Sequence, residues 1–215
     1  MKFTSDELLF LNSITQDSAP FGVFFDKIKK EDGKKKAELA KSGLINKGIL
    51  TDKTITAFGF GMIKIWSEYC NAYKYLVINK TLIGLIDERR CVVVYRDGGG
   101  YEIASGDKAE IIYACLKEYD FLRRADDKTI LESLKEDVEY DDIVKKIHEL
   151  GVNVMNVGIF PEGRKPGEEG FFYYDEKTIY HYNLHTKTER IVRPSAIRKY
   201  LMERLDINLE VYANG

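Results

Sequence analysis

Three histidines, three cysteines, one glycine cluster and two aromatic runs are the residues of this chain whose types and spacing bear on chemistry. His181 and His185 stand four apart. On a strand that continued so far they would share a face, and two imidazoles on one face begin a metal site. Yet His185 falls on a predicted turn, no third ligand has a matching spacing, and this half of the chain lacks cysteine. Ordinary hairpin residues are the plainer reading. His148 comes late in a predicted helix, where the helix dipole or solvent accounts for it. A nucleophilic triad needs Ser or Cys with His and an acid in reach, and no such grouping is marked. Gly98, Gly99 and Gly100 join two strand-like runs. A phosphate loop lies between strand and helix and carries a Lys-Ser/Thr pair, so this cluster reads as a hairpin tip. These residues predict no catalytic group, no metal and no cofactor.

Cys70, Cys91 and Cys115 are odd in number and widely spaced in apolar or amphipathic runs. Free thiols buried as small hydrophobes look like this, and a disulfide framework does not. A reducing cytoplasm is therefore expected. The N-terminal stretch carries acids where a signal peptide needs basic and then apolar residues. No apolar run reaches the ~18 residues of a membrane span, so no membrane insertion is expected. The net charge of -2 argues against a nucleic-acid partner, which asks for a basic excess. The basic stretch Lys27 to Lys41 contains Glu31, Asp32 and Glu38 and has no base-stacking aromatics. It reads as a solvated face.

At 215 residues the chain has the length of a single domain. Thr4 and Glu7 have capping-box spacing, and Leu8, Leu11 and Ile14 follow at helical period. Phe21, Val23, Phe24 and Phe25 form an apolar patch that needs cover. Lys34 to Ser42 reads as a helix stopped by Gly43. Another helix is expected from Thr51 or Asp52 to about Tyr69, with Ile55, Phe58, Met62, Ile65, Trp66 and Tyr69 inward. Tyr73–Ile78, Leu82–Asp87, Cys91–Arg96 and Tyr101–Ala104 are strand-like and joined by short turns, hence antiparallel. A helix capped by Ser105 or Asp107 follows, to about Leu122. The second part offers helices over Asp126–Ser133 and Tyr140–Leu150, a strand over Val152–Phe160 and a mobile loop from Pro161 to Gly170. A meander at Phe171–Tyr174, Thr178–Leu184 and Glu189–Val192 comes next, then a helix from Pro194 to about Leu205. Each half thus carries helices, a meander and a helix. One domain, residues 1–215, is expected, with half-units of about 1–122 and 123–215.

The aromatic runs Phe171-Phe172-Tyr173-Tyr174 and Tyr180-His181-Tyr182 alternate across strands. One face joins a core. The other exposes Tyr and Phe as binding interfaces do, unless helices cover both. Phe171 and Tyr173 are candidate partner-binding residues on this basis. The acidic residues between Asp126 and Asp142 form another exposed face, suited to mimicking nucleic acid.

The segments FTSDELLFLNSI, ELAKSGLINKGILTDKTITAF and LIGLIDERRCVVVYRDGGGYEIASG together resemble, over roughly residues 3 to 105, the EspG-type chaperones of ESX (type VII) secretion systems. The likeness is one of segment order: an opening Leu-rich helix, a short helix ending in Gly-Leu, a further helix, and a hairpin in which arginine precedes a hydrophobic strand and Arg-Asp-Gly. The abundance of Lys, Ile and Tyr resembles a low-GC Gram-positive source. The resemblance implies an α+β fold with a central, mainly antiparallel sheet, two helical subdomains and quasi-two-fold halves. It implies a cytoplasmic, non-enzymatic chaperone or adaptor that binds a secreted helical protein or toxin of a type VII system and keeps it export-competent. The hairpin tip Arg96 to Tyr101 matches the family's substrate-facing hairpin, which makes Arg96, Asp97 and Tyr101 further candidate partner-binding residues. Two other readings stay open: an immunity-type protein that neutralises a toxin, and a metal-dependent hydrolase using His181 and His185.

Overall fold

Thr4 and Glu7 close the expected capping box at the start of α1 (Ser5–Thr15). The Thr4 hydroxyl accepts from the Glu7 N–H, and the Glu7 carboxylate accepts from the Thr4 N–H. Two of the donors that every helix start leaves open are thereby satisfied. Leu8 and Leu11 are buried, whereas Ile14 faces solvent. The computed structural model describes the whole chain except residues 25–31, 132, 151–152, 162–166, 176 and 214–215 and the side chains of residues 150, 211 and 213.

Two helix boundaries differ from expectation, and a glycine explains each. The helix α2 (Gly33–Asn46) runs straight through Gly43. A Cβ there would stand 2.2 Å from Glu7 Oε1, so the glycine permits close approach of α1 and does not reverse the chain. Lys47, just past α2, pairs with the same carboxylate. The helix α3 (Ala57–Cys70) begins at Thr56, whose hydroxyl accepts from the Gly59 N–H at 2.9 Å. Thr51 is spent on a local turn, its Oγ1 accepting from the Thr54 N–H at 2.9 Å. A Cβ on Gly59 would lie 2.0 Å from the Ile49 carbonyl oxygen. This contact turns α3 so that Gly59, Ile63, Trp66, Tyr69 and Cys70 are buried, while Phe58 and Phe60 stay exposed.

The first meander has the predicted layout: β2 (Lys74–Ile78), β3 (Thr81–Leu85), β4 (Arg90–Asp97) and β5 (Gly100–Asp107). Within it β3 pairs antiparallel with β4, Leu82 opposite Val94. The two-residue strand β1 (Lys2–Phe3) pairs antiparallel with β5, Phe3 opposite Tyr101. A capping box of Asp107 and Glu110 opens α4 (Lys108–Glu118), and a 3-10 turn over Asp120–Arg123 follows.

Among the described residues of the helix expected over 126–133 none is helical, residue 132 lying outside them. Asp127 instead accepts from the Thr129 N–H at 2.8 Å and from its hydroxyl at 2.6 Å. Such local side-chain bonds compete with helix. The two-residue strand β6 (Leu134–Lys135) comes next. Then follow α5 (Tyr140–Leu150), β7 (Val154–Phe160), β8 (Glu168–Tyr174), β9 (Ile179–Asn183), β10 (Thr188–Val192), α6 (Pro194–Arg204) and the short α7 (Leu209–Ala213). Of the loop expected over residues 161–170, residues 162–166 lie outside the described residues, and 168–170 are already strand. Across the second meander Met155 stands opposite Phe172, Phe172 opposite His181, and His181 opposite Arg190.

In the first unit the strands hydrogen-bond in the order β1-β5-β4-β3, and in the second in the order β2-β7-β8-β9-β10-β6. Each half repeats one topology. A two-residue strand comes first, helical segments follow, and the first strand pairs antiparallel with the last strand of the later four-strand meander. This is an α+β layout with a repeated half-unit topology, as the resemblance implies. By contacts the chain divides into two compact units, Met1–Tyr75 with Lys80–Ile86 and Arg90–Gly106, and Leu76–Asn79 with Asp87–Arg89 and Asp107–Gly215. In the first unit Trp66, Tyr69 and Tyr75 are fully buried, and the Tyr69 and Tyr75 hydroxyls donate to the Phe21 and Tyr69 carbonyls, each at 2.7 Å. In the second unit Ile143, Phe171, Tyr173 and Tyr182 form a core cluster.

Candidate functional site

The end of the β4–β5 hairpin belongs to the first unit. The sheet ladder leaves Arg96 and Asp97 at its rim, both exposed, and the Arg96 N–H donates to the Lys80 carbonyl at 3.1 Å. The Arg96 guanidinium lies over the Phe24 ring, 5.1 Å from its centroid. Phe24 itself is 66% exposed. Asp97 accepts a hydrogen bond from Lys2 Nζ at 2.9 Å. That bond, together with the lysine charge, holds the Asp97 carboxyl below the usual carboxylate range. An exposed aromatic ring with a cation stacked on it thus lies at the hairpin end, a pairing favoured at protein interfaces, and Asp97 with Lys2 follows it along the strand.

Tyr101 lines the same hairpin end as Arg96 but exposes little of itself. It is buried opposite Phe3, and its hydroxyl oxygen accepts from the Phe24 N–H at 3.1 Å. Its role is to tether the segment that displays Phe24. Sequence reasoning treats residues 21–25 as a patch needing cover. Val23 is buried, Phe24 is not, and Phe25 lies outside the described residues. The signal for Phe24 was present, but cover was assumed for all four aromatic and aliphatic side chains.

Phe171 and Tyr173 need the same correction, because helices cover both faces of the second meander. On one face Phe171, Tyr173 and Tyr182 pack with Ile143 and Ile147 of α5. On the other, Phe172 stacks on His181 at 4.5 Å, and Tyr200 of α6 meets the Phe172 ring edge-on at 5.5 Å. Both Phe171 and Tyr173 are buried.

Under α5 sits a buried polar cluster. Glu189, 3% exposed, accepts from the Tyr173 hydroxyl and from Lys146 Nζ at 3.1 Å. Lys146 also donates to the Tyr173 oxygen at 3.0 Å and lies 4.0 Å from the Tyr180 ring centroid. Burial by itself would raise the Glu189 carboxyl, but Tyr173, Lys146 and Lys135 outweigh it and hold the group below its ordinary value. Burial, reinforced by Glu189, drives the Tyr173 hydroxyl upward. The cluster fixes α5 on the sheet.

The histidines do not converge. His181 is buried, and its Nδ1 accepts from Arg190 Nε at 3.2 Å. Burial first, then the arginine charge, lowers it to about 4. His185 sits at the β9–β10 turn with Nε2 3.6 Å from a Glu169 oxygen. Among the described residues no three His, Cys, Asp or Glu side chains are grouped to hold a metal ion, and no helix is long and apolar enough to cross a membrane. The predicted acidic face is partly committed: Asp126 accepts from the Ser195 N–H at 3.0 Å and from its hydroxyl, capping α6.

The sequence model of a family described as a domain of unknown function (DUF5081) matches residues 1–212. No curated protein matches the chain. Among solved structures, the chain is similar to the Mycobacterium tuberculosis type VII secretion system chaperone EspG5, solved in complex with a PE25–PPE41 dimer. The TM-score is 0.53 at 10% sequence identity, over 96% of this chain and 95% of that one. At that identity the likeness is one of fold.

Proposed function

The chain belongs to the DUF5081 family, and on that footing we propose that it is a chaperone-like adaptor of a type VII secretion system. It binds a secreted helical protein or toxin in the cytoplasm, as a single folding domain and without catalysis, and keeps that partner soluble until export. The observation that carries this reading is the fold likeness, over nearly the full length of both chains, to a chaperone solved with its substrate dimer.

The hairpin end of the first unit supplies a physical route. A helical partner with an apolar tip aggregates when that tip is bare. Phe24 offers an aromatic surface for it, and full burial of such a side chain is worth about 1.5–3 kcal/mol. Arg96 and Asp97 at the rim fix orientation more than they add affinity. The reading is tested by co-expressing the chain with small helical secreted proteins of the same secretion system. One of them is expected to move from the insoluble to the soluble fraction, and Phe24→Ala or Arg96→Ala is expected to weaken that rescue. If every candidate partner stays insoluble with and without the chain, the chaperone reading fails. If a soluble toxin instead loses its enzymatic activity on mixing, the chain is an immunity protein.

A further inference from the structure

A cavity lies beside residues 124–130 of the second unit. It measures about 510 Å³ and is lined by Arg124, Lys177 and Arg193 together with Tyr174, Ile130 and Ile179. That size falls in the range of ligand pockets. Arg124 is preorganised: its guanidinium lies over the Tyr174 ring, 4.2 Å from the centroid, and also donates to the Tyr174 hydroxyl. Its backbone is fixed as well, because Arg198 donates to the Leu122 carbonyl at 2.6 Å and the Arg124 carbonyl at 3.2 Å. Asp127 also lines the cavity, but its carboxylate is engaged by Thr129. Arg193 lies near Asp126, so Arg124 and Lys177 are the cations that face the committed Asp127 and make this end of the cavity locally positive.

We propose that this cavity binds a short peptide segment that carries a carboxylate beside an apolar side chain. A planar guanidinium held on an aromatic face suits a carboxylate, which it grips through two parallel hydrogen bonds. The aliphatic wall of Ile130 and Ile179 takes the neighbouring apolar group. Free phosphate fits less well. Phosphate sites draw on backbone N–H groups at a helix start, and here α6 begins with Pro194, which has no N–H, while the Ser195 N–H is taken by Asp126. The proposal stands on the cavity and does not rest on the secretion reading.

The test is selection of a displayed random peptide library on the immobilised full chain. The Arg124→Gln/Lys177→Gln double variant, verified as folded by circular dichroism, is run in parallel, as is Lys199→Gln, which removes an exposed cation on α6. Recovered peptides are expected to pair Asp or Glu with a large apolar residue, to bind the double variant about tenfold more weakly, and to bind Lys199→Gln unchanged. Inorganic phosphate, added alone, is expected to leave the backbone amide resonances of residues 124–130 and 177–179 unshifted. Absence of enrichment, peptides without acidic residues, equal binding by the double variant, or saturable phosphate shifts at those amides would each overturn the proposal.

Discussion

Replacing Lys146 by methionine removes one charge from the cluster under α5 while keeping most of the side-chain volume. Glu189 would keep its buried position and lose a donor at 3.1 Å. Breaking a buried ion pair from one side costs about 3–5 kcal/mol. Here the loss is smaller, because Lys135 Nζ remains 3.4 Å from the other Glu189 oxygen and Tyr173 still donates. A destabilisation of about 2–3 kcal/mol at pH 7 is expected, a fall of roughly 1 M in the urea midpoint. The pH dependence separates charge from packing. In the native chain the Glu189 carboxyl is held below its ordinary value, so its contribution is complete above that value and is lost as pH falls through the lower, folded one. In the variant burial is less opposed, the carboxyl rises, and protonation relieves the strain on acidification. The gap between the two proteins therefore narrows from pH 7 to pH 4. Urea unfolding followed by circular dichroism at both pH values measures it. A loss under about 0.5 kcal/mol, the usual spread of a neutral surface change, or a gap that does not depend on pH, would refute the reasoning.

Gly59 and Gly61 lie two residues apart in α3 and are expected to respond oppositely to alanine. A Cβ at Gly61 meets nothing within 4 Å, so Gly61→Ala raises stability by about 1 kcal/mol, whereas Gly59→Ala drives into the Ile49 carbonyl and lowers it by about 1–3 kcal/mol or more, both read from thermal melts. Asp126→Ala removes the cap of α6 and costs about 1 kcal/mol, with amide exchange rising first in the opening turn of that helix. His181, depressed from 6.5 to about 4, favours the folded state fully above pH 6.5 and progressively less down to pH 4. Stability should drop by about 2 kcal/mol between pH 7 and pH 5 on its account, a slope that His181→Phe abolishes in paired denaturation curves.

The antiparallel meanders were legible because Val, Ile and Tyr alternate between compact turns, and α1 was legible from Thr4 and Glu7 alone. The errors have local causes. Gly43 carries the sequence mark of a helix stop, and only the position of Glu7, thirty-six residues earlier in the chain, shows that it is a contact. Thr51 and Asp52 both carry the sequence mark of a cap, yet α3 starts at Thr56, where Gly59 meets Ile49. Asp126 reads as a helix former with its neighbours, yet its carboxylate is drawn to Ser195, sixty-nine residues away. The candidate surface fared similarly. Alternation places Phe171 and Tyr173 on one face but cannot say that α5 covers it, whereas Arg96 and Asp97, at the strand end beside the Gly98–Gly100 tip, were bound to be exposed.

The central claim is tested most directly by purifying the tagged chain from its native host under gentle crosslinking and identifying by mass spectrometry what comes with it. The account predicts a small helical secreted protein or toxin of the type VII system at a one-to-one ratio, with less of it recovered by the Phe24→Ala chain. Recovery of the chain by itself, with crosslinker present and the secretion system expressed, would contradict it.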